Sequence, residues 1–474
     1  MTHMAGIDTA RSVGVIGAGT MGAGIAQLAA AAGHPVLLYD AVEGAAEKGR
    51  ARIAKGLEKL VARGKMSEAD VTALVGRIEV APSLDAFADA ALAVEAIVEK
   101  LEVKRELFAQ LEGIMGEDAI LGTNTSSISV TSIGRDLKRP GRLVGMHFFN
   151  PAPVMKLVEV ISGVSTDPAV AQTVFDTAEA WGKIPVHAKS TPGFIVNRVA
   201  RPYYAEALRL YEEQVADPAT LDALLTEGGG FRMGPFTLMD LIGHDVNYAV
   251  STSVFEAYYQ EPRFRPSIAQ LELVNAGRLG RKTGRGFYDY SEGAEAPQPA
   301  APAPAGRADG FDGLALSGNE EAGGTAIRLT DGRTARQLAK ELGQPVIVYD
   351  LGADGKRLGF AASPEVGEDV LKRFAATLAM RNLTGMRLPD WPGLVVMRTV
   401  AMLANEGFEA RLQGVADEEG IDKAMRFGVN YPKGPIGWAR EIGLGRVLSV
   451  LDAIHELTGD PRYRASMALR MEAD

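Results

Sequence analysis

The 474-residue chain contains no cysteine, and only six histidines and three tryptophans. Without cysteine there are no disulfides, no thiolate nucleophile and no cysteine-ligated metal centre. A reducing compartment is compatible with this, so a cytoplasmic location is expected. No run of the sequence approaches the ~18 apolar residues of a membrane-spanning helix. Met1–Arg11 likewise lacks the apolar stretch of a secretory signal. Positive charge is also in deficit: 50 Lys+Arg against 60 Asp+Glu leave a net charge of −10. That balance argues against nucleic acid or an anionic membrane surface as the main partner. Hydrophobic residues at 46% and charged residues at 23% are ordinary for a soluble globular protein. The length predicts roughly three domains of ~150 residues each.

Against that scarcity of histidine, one stands out. Met146-His147-Phe148-Phe149-Asn150-Pro151 places His147 beside an Asn-Pro turn, and Glu159 follows inside the apolar run Lys156–Ile161. A histidine backed by a buried carboxylate is the usual device for removing a proton near neutral pH, because the carboxylate fixes the tautomer and stabilises the imidazolium. A lone histidine would more simply be a satisfied core residue. His34 and His187, which precede or lie in expected strands, have no such company.

Ser12–Ile16 reads as a short buried strand running into Gly17-Ala18-Gly19-Thr20-Met21-Gly22 and an Ala-rich helix over 23–32. Gly33 stops that helix, and Pro35–Asp40 reads as a second strand. This order is a βαβ unit of a parallel sheet. Further strands are expected at 78–80, 92–96, 119–122, 143–146 and 156–161. A glycine triplet alone is weak, but between strand and helix each glycine has a task. The first allows the tight turn, the second lets backbone approach a pyrophosphate, and the third packs helix on strand. Asp40, at the end of the second strand, can accept bonds from a ribose hydroxyl and would repel a 2′-phosphate, which favours NAD over NADP.

Two other stretches leave alternatives open. Residues 48–65 carry Lys48, Arg50, Arg52, Lys55, Lys59, Arg63 and Lys65 against the single acid Glu58. They suit either a polyanionic, nucleotide-bearing thioester carrier or a solvated helix face. Asn124-Thr125-Ser126-Ser127 follows a strand, where parallel sheets build their sites; taken alone, helix capping explains it better.

From Thr191 the pattern turns helical. Phe194–Glu213 has apolar residues at helical spacing, more helices are expected up to Gly280, and Phe287-Tyr288-Asp289-Tyr290 closes the unit. The Pro/Ala-rich stretch 291–306 has the composition of a semi-extended linker. Beyond it, 326–329, 334–342 and 345–351 read as a small βαβ piece. A second copy follows. Pro192-Gly193-Phe194-Ile195-Val196-Asn197-Arg198 recurs as Pro392-Gly393-Leu394-Val395-Val396-Met397-Arg398. Val215-Ala216-Asp217 recurs as Val415-Ala416-Asp417, and Met233-Gly234-Pro235 as Lys433-Gly434-Pro435, all at an offset of 200 without a gap. The helical domain is duplicated, but Asn197 has become Met397.

These residues resemble the L-3-hydroxyacyl-CoA dehydrogenases. The likeness rests on Gly17–Gly22 with Asp40, Val94–Glu99, Asn124–Ser127, His147–Pro151, Lys156–Val160 and Thr191–Arg198, which together span residues 12–290. It implies a Rossmann-type α/β domain over 1–188 and an all-α substrate and dimerisation domain over 189–290. After a linker over 291–310 come a small, degenerate Rossmann-like α/β piece over 311–388 and a second, degenerate helical domain over 389–474. The same likeness implies His147 as general base with Glu159 as its orienting partner, and Ser126 and Asn197 as partners of the substrate oxygen. It assigns Asp40, Glu99, Lys104 and Asn150 to NAD and Arg63 to coenzyme A, with no metal. A soluble homodimer is the expected assembly.

The duplicated tail, with Gly428–Pro435, looks like the longer bacterial members of phenylacetate degradation, which act on 3-hydroxyadipyl-CoA. The expected reaction is NAD-dependent oxidation of a (3S)-3-hydroxyacyl-CoA to the 3-oxoacyl-CoA. One alternative is 3-hydroxybutyryl-CoA as substrate. An alternative of another class is a crystallin-like NAD-binding structural protein, against which His147, Glu159, Ser126 and Asn197 together speak. An adipyl chain ends in a free carboxylate that wants a cationic partner; Arg201 and Arg232 both qualify. The second helical copy is expected to pack on the first, and one active site per chain is expected, in the first half.

Overall fold

A computed structural model describes residues 6–311, 313–352 and 354–473. The first five residues of the Met1–Arg11 stretch lie outside them. The described chain forms two compact units. The first runs to Val196 and takes in Gly414–Val429; the second comprises Asn197–Gln413 and resumes at Asn430.

The first unit is built on an eight-stranded sheet. In chain order its strands are β1 (Val13–Ile16), β2 (Val36–Tyr39), β3 (Ile78–Val80), β4 (Leu92–Glu95), β5 (Ile120–Thr123), β6 (Leu143–Phe148), β7 (Leu157–Ser162) and β8 (Ile184–Lys189). Across the sheet they lie in the order β3-β2-β1-β4-β5-β6-β7-β8. Helices shield the inner strands, so β1, β4, β5 and β6 are buried at every position. Near-continuous apolar runs are what a parallel sheet covered on both faces requires. All pairings are parallel except β6 with β7. That one reversal sets His147 directly opposite Glu159 in the ladder. Antiparallel opposites lie about 5 Å apart, which twelve residues of sequence separation do not reveal.

In the second unit, β9 (Asn319–Ala322), β10 (Thr325–Leu329), β11 (Val346–Tyr349), β12 (Arg357–Ala362) and β13 (Thr384–Arg387) form a sheet ordered β13-β12-β11-β10-β9. From β10 to β13 the pairings run parallel, antiparallel, parallel. This is the sequence of pairings from β5 to β8. Among the described residues, the small sheet therefore repeats only the last half of the large one and has no equivalent of β1 or β2. The expected βαβ piece is present as β10, the helix Ala335–Leu342 and β11; the antiparallel additions were not anticipated. The Pro/Ala-rich stretch also differs from a free spacer. Ala303 and Gly306 donate backbone hydrogen bonds to Gly385 O and Lys372 O, and Ala303 packs on the core of the small sheet.

The helical duplication is physical. The helix Arg201–Glu212 packs on Val396–Leu412. Two buried ion pairs, related by the 200-residue offset, join these helices. Arg198 Nε donates to Glu406 Oε1 at 2.6 Å, and Arg398 Nε to Glu206 Oε2 at 2.8 Å. Burial alone would raise the carboxyl of Glu206, but the nearby Arg398 holds it down. Each copy also lays a helix on a sheet. Glu418–Gly428 packs on β7 and β8 in the first unit, and Leu224–Gly228 packs on β12 in the second. Gly428 and Gly228 sit at these contacts, where a Cβ would lie 2.6 Å from Leu157 Cδ2 and from Arg357 O respectively.

The Pro-Gly turns at both helix starts share a strained backbone, with Phe194 at φ 48° and Leu394 at φ 53°. A bulky residue in the left-handed region costs roughly 1–2 kcal/mol. Buried carboxylates hold the following amides in place. Glu159 Oε1 accepts from Ile195 N and Val196 N, each at 3.0 Å. In the second unit Asp350 accepts from Val395 N, Val396 N and Met397 N at 2.8–2.9 Å. The ladder explains the exchange. Asp350 N bonds Gly359 O, so Asp350 and Gly359 occupy the places of His147 and Glu159. The second copy keeps the carboxylate hook, from the neighbouring strand, and has no histidine there.

Glu406→Ala strands Arg198 and Arg263, both buried and paired to it, and should cost about 3–5 kcal/mol in urea unfolding. Burial pushes the Asp350 carboxyl up to about 6 despite its amide bonds. Its folded-state value thus lies above the unfolded one, so the stability of its neutral form is full below about pH 4 and is lost as pH rises through about 6. Asp350→Asn should therefore show a smaller fall in Tm than the parent between pH 4.5 and 7.

Candidate active site

The glycine-rich turn leads from β1 into the helix Thr20–Ala31. Gly17 has φ 99°, and a Cβ there would lie 2.5 Å from Ala96 O; a Cβ on Gly22 would lie 1.7 Å from Gly17 O. Neither position tolerates a side chain. Gly19, the N-cap residue, has nothing within 4 Å of an added Cβ, and no side chain caps the helix. This open, uncapped N-terminus of a twelve-residue helix fits a pyrophosphate, which its free N–H groups and dipole would favour. Ala18, Thr20 and Met21 lie in the same turn. Asp40 ties it down: Oδ2 accepts from Ala18 N at 2.7 Å and Oδ1 from Val42 N at 2.9 Å. Each oxygen keeps a lone pair for a ribose hydroxyl.

Beyond β4 and β5 lies a second constellation. Lys104, 1% exposed, places Nζ 2.5 Å from Glu95 Oε1 and 3.1 Å from Glu99 Oε2. Glu95 also accepts from Thr123 Oγ1 at 2.8 Å. Glu99 Oε1 accepts from Thr125 Oγ1, Ser126 N, Ser127 N and Ser127 Oγ. Burial alone would raise the Glu99 carboxyl, but the Thr125 hydrogen bond and the charge of Lys104 lower it. Glu99 thus organises the loop that presents Ser126, whose side chain is exposed. Lys104 was expected at the cofactor; its ammonium is held between two carboxylates, and it reaches that loop through Glu99. Glu95, a buried charge in an apolar strand, was missed as a site residue although its sequence context was signal enough.

At the end of β6, His147 Nδ1 lies 2.6 Å from Glu159 Oε2, and both side chains are buried. With two backbone amides on its other oxygen, the carboxylate is fully provided with donors, the condition for a charge inside a core. A carboxylate accepts, so Nδ1 carries the proton and Nε2 is the nitrogen able to take another. Phe149 and Phe194 pack on the imidazole with ring centroids 4.6 and 5.9 Å away. Asn124 Oδ1 accepts from Phe148 N at 2.8 Å, joining the loop after β5 to the end of β6.

Asn150, exposed, begins the following turn. Lys183 holds that turn, donating to Ala152 O at 2.5 Å and Met155 O at 2.8 Å. Burial pulls its ammonium down to about 8. Nothing in the sequence marked it. Arg63 lies exposed just past the helix Ala45–Val61 and is not gathered with the other residues. Asn197 is half-buried and begins the second unit.

Residues 12–191 match the NAD-binding domain of 3-hydroxyacyl-CoA dehydrogenase, and 193–290 with 393–474 match its C-terminal domain. Residues 327–392 match a reduced Rossmann-fold domain of 3-hydroxybutyryl-CoA dehydrogenase. A 3-hydroxyadipyl-CoA dehydrogenase of Escherichia coli is 45% identical over 98% of this chain and 97% of its own. The human mitochondrial hydroxyacyl-coenzyme A dehydrogenase is 43% identical over 59% of this chain and 91% of its own. A crystal structure described as 3-hydroxybutyryl-CoA dehydrogenase from Escherichia coli superposes with a TM-score of 0.94 at 45% identity, covering 98% of both chains. The chain belongs to the 3-hydroxyacyl-CoA dehydrogenase family of NAD-dependent oxidoreductases.

Proposed function

We propose that the protein oxidises (3S)-3-hydroxyadipyl-CoA to the 3-oxo thioester, with His147 as general base and Glu159 as its partner. The observation that carries the chemistry is the buried 2.6 Å contact between His147 Nδ1 and Glu159 Oε2. It fixes one tautomer and leaves Nε2 to take the C3 hydroxyl proton. As that proton arrives, Glu159 stabilises the imidazolium across the same hydrogen bond. Bound NAD supplies the acceptor for the hydride from C3. The uncapped turn Gly17–Gly22 holds the pyrophosphate, Asp40 accepts from a ribose hydroxyl, and Glu99 contacts the cofactor. Lys104 sets Glu99, and Asn150 lies beside the cofactor. Ser126 and Asn197 bond the substrate oxygen as it becomes a carbonyl, and Arg63 takes part in coenzyme A binding.

The adipyl assignment is supported by the printed name of a full-length relative. The full-length crystal structure from the same organism is described for 3-hydroxybutyryl-CoA, which keeps the shorter substrate as a second reading. Comparing kcat/KM for the two thioesters by NADH absorbance decides between them; a preference for adipyl of at least tenfold is expected. His147→Ala should lower kcat by roughly 10²–10⁴, as expected for a lost general base. Near-normal turnover by that variant would contradict the assignment.

A further inference from the structure

Arginine in a protein interior nearly always faces a carboxylate, because burying an unpaired charge is costly. The helical unit keeps this rule at Arg198, Arg263 and Arg398, each paired with a buried glutamate. Arg201 breaks it. It is 6% exposed, and its only direct hydrogen bond among the described residues is from Nη1 to Ser251 Oγ at 3.2 Å. Its guanidinium stacks over the Tyr204 ring at 4.9 Å. Nε is buried without a hydrogen-bond partner, and so is the hydroxyl of Tyr431, which interacts electrostatically with the same guanidinium. Burial lowers the pKa of the group, and only tyrosines act against that shift. Arg232, the other cation considered from sequence, is exposed and needs no partner.

The duplication separates scaffold from function at this place. Arg198, Glu206 and Asp217 recur 200 residues later as Arg398, Glu406 and Asp417. Asn197, Arg201, Tyr204 and Ser251 recur as Met397, Ala401, Ala404 and Leu451. The second copy folds the same helix without any of these polar groups, so the fold does not require them. Arg201 is lost together with Asn197. Asn197 lies in the short helix Val196–Val199 and Arg201 starts the helix Arg201–Glu212; the two are four residues apart, and Ala200 between them keeps right-handed helical dihedrals.

We infer that Arg201, with Ser251, Tyr204 and Tyr431, receives the terminal carboxylate of a dicarboxylic acyl chain. This rests on the reading above that Asn197 bonds the C3 oxygen. Four residues of right-handed helical backbone separate the two positions by about 6 Å along the chain axis, at ~1.5 Å per residue. The three C–C bonds from C3 to the terminal carboxyl of an adipyl chain, at about 1.5 Å each, span about 4 Å, and hydrogen bonds of about 3 Å at either end make up the remainder. The carboxylate would bring the counter-charge that Arg201 lacks and acceptors for Nε and the Tyr431 hydroxyl. Arg201 is then the specificity-determining residue for a dicarboxylic substrate.

The test compares kcat/KM for 3-hydroxyadipyl-CoA with that for 3-hydroxyhexanoyl-CoA, which has the same chain length and a methyl terminus. The parent enzyme should prefer adipyl, and Arg201→Met should reduce that ratio about 10²–10³-fold. Arg201→Lys should retain part of the preference. Tyr431→Phe removes one buried oxygen and should reduce the ratio about tenfold; it carries the test if the methionine variant does not fold. A parent preference that survives in R201M, or in Y431F should R201M not fold, overturns the arginine assignment alone. Equal values for both thioesters in the parent overturn it together with the adipyl reading.

Discussion

The carboxylate of Glu159 is the point on which the first unit's proposed chemistry and its backbone both depend. One oxygen accepts from His147 Nδ1; the other accepts from the amides of Ile195 and Val196. The same group therefore orients the proposed base and holds the chain just past Phe194, where the backbone is strained. Burial makes each of these bonds count, since an unmade hydrogen bond to a buried charge is costly. The residue cannot be exchanged for a neutral one without disturbing both ends at once.

The second unit shows that the backbone role came to stand alone. Asp350 takes over the amides at the repeated turn, reaching them from the neighbouring strand, while Gly359 occupies the place of Glu159. The hook is retained because the Pro-Gly turn, with Leu394 in the left-handed region, is repeated. The histidine is not, and among the described residues the small sheet also lacks the strands that carry a dinucleotide turn. The second half thus repeats parts of the first without the counterparts of His147 and Asn197. Its helix Val396–Leu412 packs on Arg201–Glu212, and its helix Glu418–Gly428 covers the edge of the large sheet at β7 and β8.

Much of this was legible from residues alone. Gly17–Gly22 between a strand and a helix, with Asp40 after the next strand, identified the dinucleotide half because the steric demands on those glycines are local. The ungapped 200-residue repeat identified the duplicated helices, because helical spacing and Pro-Gly turns are written in short segments. Other features were not legible. The exchange of Glu159 for Asp350 hides in any alignment of like with like, because the acid moves to another strand. Lys183 gave no signal, since a lysine that binds two carbonyl oxygens reads like any surface lysine. Lys104 was recognised, but not that it acts through Glu99 from a buried position.

The sequence by itself determined the classes of the parts: a dinucleotide-binding α/β half, a helical half, and a copy of the latter without Asn197. It could do so because turns, caps and apolar periodicity depend on neighbours along the chain. Only the tertiary structure decided which charges meet. The antiparallel turn of β7 placed Glu159 opposite His147, and the packing of two homologous helices paired Arg198 with Glu406 and Arg398 with Glu206. Arg201 was left without a carboxylate in that same packing. A charge declares its partner only when folding removes it from water, so an arginine buried without a carboxylate against it could be singled out only in the folded chain.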